Sequence, residues 1–172
     1  IKPILKNTLI TAKWVIFATI TGTIVGLVGS VFYFLLSFVT IVREQNPWII
    51  YLLPLAGLAV VATYHFMHND NDGGTNLVIS AVHSGDRIPL RMTPSIFIST
   101  TLTHLFGGSA GREGAALQIG GSIGNSLGKL FRFDEKDTHV VIMCGMSAAF
   151  STLFGTPMAA AIFPMEMVSV GV

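Results

Sequence analysis

The stretch that most limits what this chain can fold into is Trp14–Val42, 29 residues without a charged side chain. About 20 apolar residues are enough to cross a bilayer as a helix. At 1.5 Å per residue this stretch would be about 44 Å long, so it should tilt or extend into the interface. A second uncharged run, Thr138–Met165, covers 28 residues. Charged residues make up 11% of the 172, against about 25% in a typical soluble domain. The expectation is an all-α, polytopic membrane protein. The length and number of the runs exclude a lone signal peptide, and no charged leader with a small-residue cleavage site is present. The chain begins at Ile1 and stops after Val172 in a still-apolar segment, which predicts a piece of a longer protein.

The net charge of +1 gives no reason to invoke nucleic acid. Lys2, Lys6 and Lys13 lie before the first span with no acidic residue among them. Under the positive-inside rule they place the N-terminus in the cytoplasm of a multi-pass protein of the cell membrane. The single cysteine, Cys144, is read as a small buried hydrophobe.

Two full-length helices are expected first. Trp14–Val42 carries Gly22, Gly26 and Gly29, a smooth stripe for close helix packing. Arg43–Pro47 is an outside turn. Trp48–Met67 returns, with Trp48 and Tyr51 as interface anchors and Pro54 as a kink or a first-turn residue. His65–Asp72 reads as a solvated cytoplasmic loop. Its spacing is not that of a zinc helix, so no metal is expected.

The remaining segments are short and interrupted. Gly73-Gly74-Thr75-Asn76 leads into Leu77–Val82, too short to span. That pattern predicts a broken segment whose N-terminus points into the protein. Ser84–Arg91 is a surface loop, Thr93 to about Phe106 a helix, and Gly107–Gly111 a break. From about Glu113 to Phe131 a helix carries Gly120, Gly124 and Gly128 at every fourth place. Arg132–Asp137 is a charged loop and Thr138–Phe150 a further helix. After Thr156-Pro157, Met158 to about Val168 is the last segment, with Pro164 and Glu166 inside it. Short broken helices that meet at mid-depth are the sequence pointer to a transport site.

Inside the glycine-rich break stands one ionisable pair, Arg112-Glu113, flanked by uncharged runs. An ionisable pair at membrane depth marks a functional site. Amides exposed at a helix N-terminus, with the positive end of the dipole, suit an anion. The anion and the Glu113 carboxylate then compete for one place. An anion there raises the carboxyl pKa by like-charge repulsion, so anion entry and proton uptake are linked. The alternative is that Glu113 pairs with Arg112 at a membrane surface. No GxSxG, HExxH or P-loop lysine motif is present, so neither an enzyme nor a cofactor is expected.

At Ser109–Gly124, reading SAGREGAALQIGGSIG, the chain resembles the CLC family of chloride channels and anion/proton antiporters, whose signature here is GREGP followed by QIGG. Gly145–Pro157 and Met158–Phe163 look like the family's next two helices. The resemblance covers essentially residues 1–172, as the N-terminal half of a CLC-type transmembrane domain. It implies one half of an inverted repeat and a homodimer with one pathway per subunit. The second half would supply a tyrosine at the central anion site. Glu113 is similar to the gating glutamate, which blocks the pathway when ionised. Gly111, Arg112, Gly114 and Ala115 look like the backbone cradle, with the Arg112 side chain turned to solvent or a carbonyl. Gly74, Thr75 and Asn76 fall where the family's GSGIP motif supplies a serine to the anion.

Three departures shape the expected function. Ala115 replaces the proline of GREGP, a mild change in a first turn. GSGIP is absent, and Thr75-Asn76-Leu77-Val78 resembles the fluoride/proton antiporter branch, where methionine or threonine replaces the serine. The internal proton-relay glutamate falls on Met167, with Glu166 one place earlier, and the fluoride branch also lacks that relay. The resemblance thus implies fluoride (or chloride)/proton antiport across a lipid bilayer. A passive chloride channel, or a fragment inactive without its second half, are the alternatives. Thr75 as a helix cap, Glu166 as a cytoplasmic-end residue and His104 as a packed, hydrogen-bonded histidine stand beside their transport readings.

Overall fold

The computed structural model describes residues 2–69, 73–85 and 88–170. Asp70 and Asp72 of the expected polar loop lie outside the described residues. Among the described residues the chain is helical throughout, without strands.

Helix α1, Lys2–Gln45, is a single rod of 44 residues, about 66 Å long. It starts 12 residues before the expected span because nothing between Ile4 and Lys13 breaks a helix and Pro3 sits in its first turn, where a missing N–H is tolerated. It stops before Asn46, which Pro47 keeps out of the helical region (φ −131°, ψ 72°). The chain returns as a 3-10 helix, Pro47–Leu52, that passes directly into α2, Leu53–Phe66. Pro54 occupies the first turn of α2.

Helices α3, Thr75–Ser84, and α5, Arg112–Leu130, are the broken segments. The chain enters α3 through Gly74 (φ 62°, ψ −142°), a conformation that is largely glycine's own, and leaves it through Gly85 in the left-handed region. Helix α4, Met92–Leu105, ends in a turn where the Gly108 amide donates to the Thr103 carbonyl (2.8 Å). Helix α5 is the centre of the molecule: Ala115 through Asn125 are all buried, and α1, α3, α4 and α6 (Thr138–Phe154) surround it. Helix α7, Pro157–Val170, closes the chain with Pro164 inside it.

The stripe on α5 makes the contact its spacing implies. A Cβ on Gly120 would collide with the Gly145 carbonyl of α6, and one on Gly124 would lie 2.7 Å from the Val141 carbonyl. The stripe on α1 does so only in part. Gly29 meets Thr152 of α6 (3.1 Å), Gly26 barely reaches it (3.8 Å), and Gly22 has open space beside it.

Thr8–Gln45 and Pro47–Phe66 are long and apolar enough to cross a membrane. Their outer faces expose Leu27, Val31, Phe34, Phe38, Leu55, Leu58 and Val61. So large an apolar face is a liability in water and a match for lipid. At the opposite end of α1 from Arg43, Phe17 packs edge-on against Phe131 (5.6 Å) and Phe133 (4.9 Å). There Lys13 lies over the Phe133 ring (4.0 Å) and donates to the Arg132 carbonyl (3.3 Å).

Candidate functional site

Helices α3 and α5 run side by side in the same direction. Near their starts Gly114 approaches Thr75; further along, Gly121 approaches Val78. Gly85 and Gly128, near the two ends, line one cleft. Their N-termini therefore share one location, between the Gly107 turn, which touches Arg43 and Ile50, and the Phe17 end of α1. Two positive dipole ends fall together there. In α5 the first full-turn bond is Ala115 N to Gly111 O (3.3 Å), so the amides of Arg112, Glu113 and Gly114 have no acceptor four residues back.

These helix starts open on a cavity of about 440 Å³. Thr75, Gly111, Gly114, Ala115 and Gln118 form one wall, and Tyr64, Ser99, Thr100 and Thr103 the other. The Gln118 amide Nε2 donates to Thr75 Oγ1 (3.2 Å) and joins the two helices. Gln118 Oε1 and Ser99 Oγ are buried with no hydrogen-bond partner among the described residues.

Of the residues read from sequence, the fold brings Thr75, Gly111, Gly114 and Ala115 together around this cavity. Gly74 supplies the turn into α3, and Asn76 is exposed in its first turn. Arg112 is half-buried and Glu113 exposed, both in the first turn of α5. Their side chains make no ion pair with each other and no hydrogen bond among the described residues. Thr75 does not cap α3: the capping position is Gly74, and no side chain bonds there.

His104 is half-buried, with Nδ1 on the Thr100 carbonyl (2.9 Å); a carbonyl only accepts, so Nδ1 carries a proton. Glu166 is exposed on α7, while Met167 packs against the core. Sequence reasoning missed Gln118, Ser99 and Tyr64. Gln118 could have been found as an amide one turn after Gly114, on the α5 face that Ser122 and Asn125 continue.

A family model described as voltage gated chloride channel matches residues 55–172. A "Chloride/fluoride channel protein" of Pseudomonas syringae pv. tomato is 42% identical over 161 residues, 93% of this chain and 36% of that protein. The "H(+)/Cl(-) exchange transporter ClcA" of Vibrio campbellii is 27% identical over 164 residues, 87% of this chain and 35% of that one. The chain thus spans roughly a third of the length of these relatives. The crystal structure of a CLC-type fluoride/proton antiporter superposes with a TM-score of 0.83 at 39% identity, covering 91% of this chain and 40% of that one. With glycine-lined helix starts converging on one cavity and a family match over more than half its length, the chain belongs to the voltage-gated chloride channel, or CLC, family of membrane proteins.

Proposed function

We propose that residues 1–172 are the N-terminal half of a CLC-type transmembrane domain that exchanges a small halide, fluoride before chloride, for protons. The observation that carries this reading is the convergence of α3 and α5 on one cavity beside the Thr75 hydroxyl. Two helix N-termini and one hydroxyl offer an anion backbone and side-chain donors at a single point. Glu113, in the first turn of α5 with no partner for its carboxylate among the described residues, is the gating and proton-carrying group. Gly74, Asn76 and Arg112 belong to the anion site through their backbone, at or beside the two helix starts. The second half of the inverted repeat would close the site over Glu113.

Fluoride is favoured because the Pseudomonas relative and the superposed structure carry fluoride in their names. The Lys13–Arg132 contact supports a cytoplasmic N-terminus, because it gathers the basic residues of the first segment and of the α5–α6 loop at one end. A homodimer in the lipid bilayer of the cell membrane completes the reading. The test is ion flux from proteoliposomes holding the protein that carries this sequence. A fluoride gradient should drive protons uphill. Fluoride leak with no proton movement would make it a passive channel instead, and no flux of either ion would defeat the transport reading.

A further inference from the structure

We propose that Gln118 is the positioning residue that gives this site its preference for fluoride, by fixing the direction of the Thr75 hydroxyl; the inference rests on the transport reading above. Many hydroxyls on the helices of this protein give their proton to the carbonyl four residues back. Thr19, Thr23, Thr40, Thr63, Thr103 and Thr152 all do so, at 2.7 to 2.9 Å. A hydroxyl used in that way has no proton left for an ion. Thr75 is the first residue of α3 and has no carbonyl four residues back within its helix. Instead its oxygen accepts the Gln118 amide (3.2 Å), and its proton has no acceptor among the described residues. Because one side of the oxygen is taken by an N–H, the O–H is turned away from Gln118. The hydroxyl lines the cavity at which the α5 amides begin.

Gln118 is built for this task rather than for filling space. It is 8% exposed, and its Oε1 is buried in the same wall without a partner among the described residues. An isosteric apolar residue would remove that unsatisfied atom, so the amide is retained at a cost. The reverse orientation of the amide would draw the Thr75 proton inward and leave the anion without it. The ion most affected would be fluoride. It is the smallest halide and the strongest hydrogen-bond acceptor, so it depends most on a donor that replaces its water.

The experiment compares initial rates of fluoride and chloride efflux from proteoliposomes for the wild-type protein and four variants: Gln118→Met, Thr75→Val, the two combined, and Gln118→Glu. Gln118→Met should lower fluoride efflux about tenfold, the worth of one hydrogen bond to a charged group, and chloride efflux much less. In a Thr75→Val background the same change should add nothing, because the residues act as one unit. Gln118→Glu keeps the shape and, when ionised, can only accept. It should suppress fluoride efflux relative to wild type at neutral pH and regain it at acid pH, where the carboxyl donates to Thr75. This variant carries the test if Gln118→Met does not fold. Equal losses for fluoride and chloride, full additivity with Thr75→Val, or a Gln118→Glu variant matching wild type at both pH values would each overturn the proposal. A wild-type protein that moves neither ion would instead strike at the transport reading itself.

Discussion

The Thr75 hydroxyl oxygen lies 2.9 Å from the point that a Cβ on Gly114 would occupy. Helix α3 thus presses its first side chain onto the first turn of α5, at the one place where α5 offers free amides. The glycine of the REGA turn is therefore required by a side chain 39 positions earlier in the sequence. Its backbone lies in an ordinary helix, so conformational freedom is not the reason for it.

Gly114→Ala should cut fluoride flux by about tenfold while leaving the fold intact. The added methyl forces the Thr75 side chain to rotate off Gln118, and one charge-assisted hydrogen bond is lost to the ion. Helix propensity runs the other way, alanine being favoured over glycine by up to about 1 kcal/mol. Flux in proteoliposomes and thermal unfolding in detergent should accordingly part company. A variant that lost both together would place the contact in the packing rather than in the site.

The glycines between α5 and α6 carry a different load. Gly120 and Gly145 meet backbone to backbone, and a methyl on either would strike the other's carbonyl. Neither carbonyl can swing aside as a side chain could. Gly120→Ala and Gly145→Ala should each destabilise by about 3 kcal/mol or more, at the upper end for an overfilled core. Gly22→Ala on α1, with open space around it, should lose nothing and gain up to about 1 kcal/mol from helix propensity. Unfolding by a denaturing detergent, measured for all three, checks the ranking.

That contrast also marks what the sequence could reveal. Every-fourth glycine on α5 correctly announced a close neighbour. The stripe Gly22, Gly26, Gly29 looked equivalent, yet only Gly29 is in tight contact, with Thr152. Spacing identifies a smooth face but not the partner that will use it, nor whether lipid covers it instead. The broken helices α3 and α5 were legible because Gly-Gly-Thr-Asn and Gly-Arg-Glu-Gly interrupt apolar runs too short to span. The far wall of the cavity was not. Ser99 and Thr103 on α4 share one helical face, but Thr103 bonds its own backbone and Ser99 is left unpartnered in the cavity wall. Only tertiary packing separates the two, as only packing brings Gln118 to Thr75 across 43 residues.

The segment joining α3 to α4 is held by two bonds from α5. Asn125 Nδ2 donates to the Ile88 carbonyl (3.1 Å) and Ser122 Oγ to the Pro89 carbonyl (2.9 Å). Asn125 and Ile88 are both buried, so Asn125→Leu leaves a buried carbonyl without a donor. The expected cost is about 1–3 kcal/mol, and Ser122→Ala should cost less because the Pro89 carbonyl still accepts from the Met92 amide (3.1 Å). Hydrogen exchange of the Ile88, Leu90, Arg91 and Met92 amides should accelerate in Asn125→Leu. Unchanged protection there would mean that packing, not these bonds, holds the segment.

Glu113 offers the sharpest separation of function from stability. Its side chain is exposed, with neither an ion pair nor a hydrogen bond among the described residues, so Glu113→Gln should change stability by less than about 0.5 kcal/mol. In the proposed cycle the same change is severe. Glutamine resembles the protonated carboxyl: it no longer competes with the anion for the α5 amides, and it carries no proton. Fluoride should still cross, while proton movement per fluoride falls by about a hundredfold, the low end of what losing a proton-transfer group costs. A fluoride electrode and a pH electrode in the same vesicle suspension read both quantities at once. If the glutamine variant still pumped protons against their gradient, the carrier would have to be another group, and the exposed carboxylate at the head of α5 would have no part in coupling.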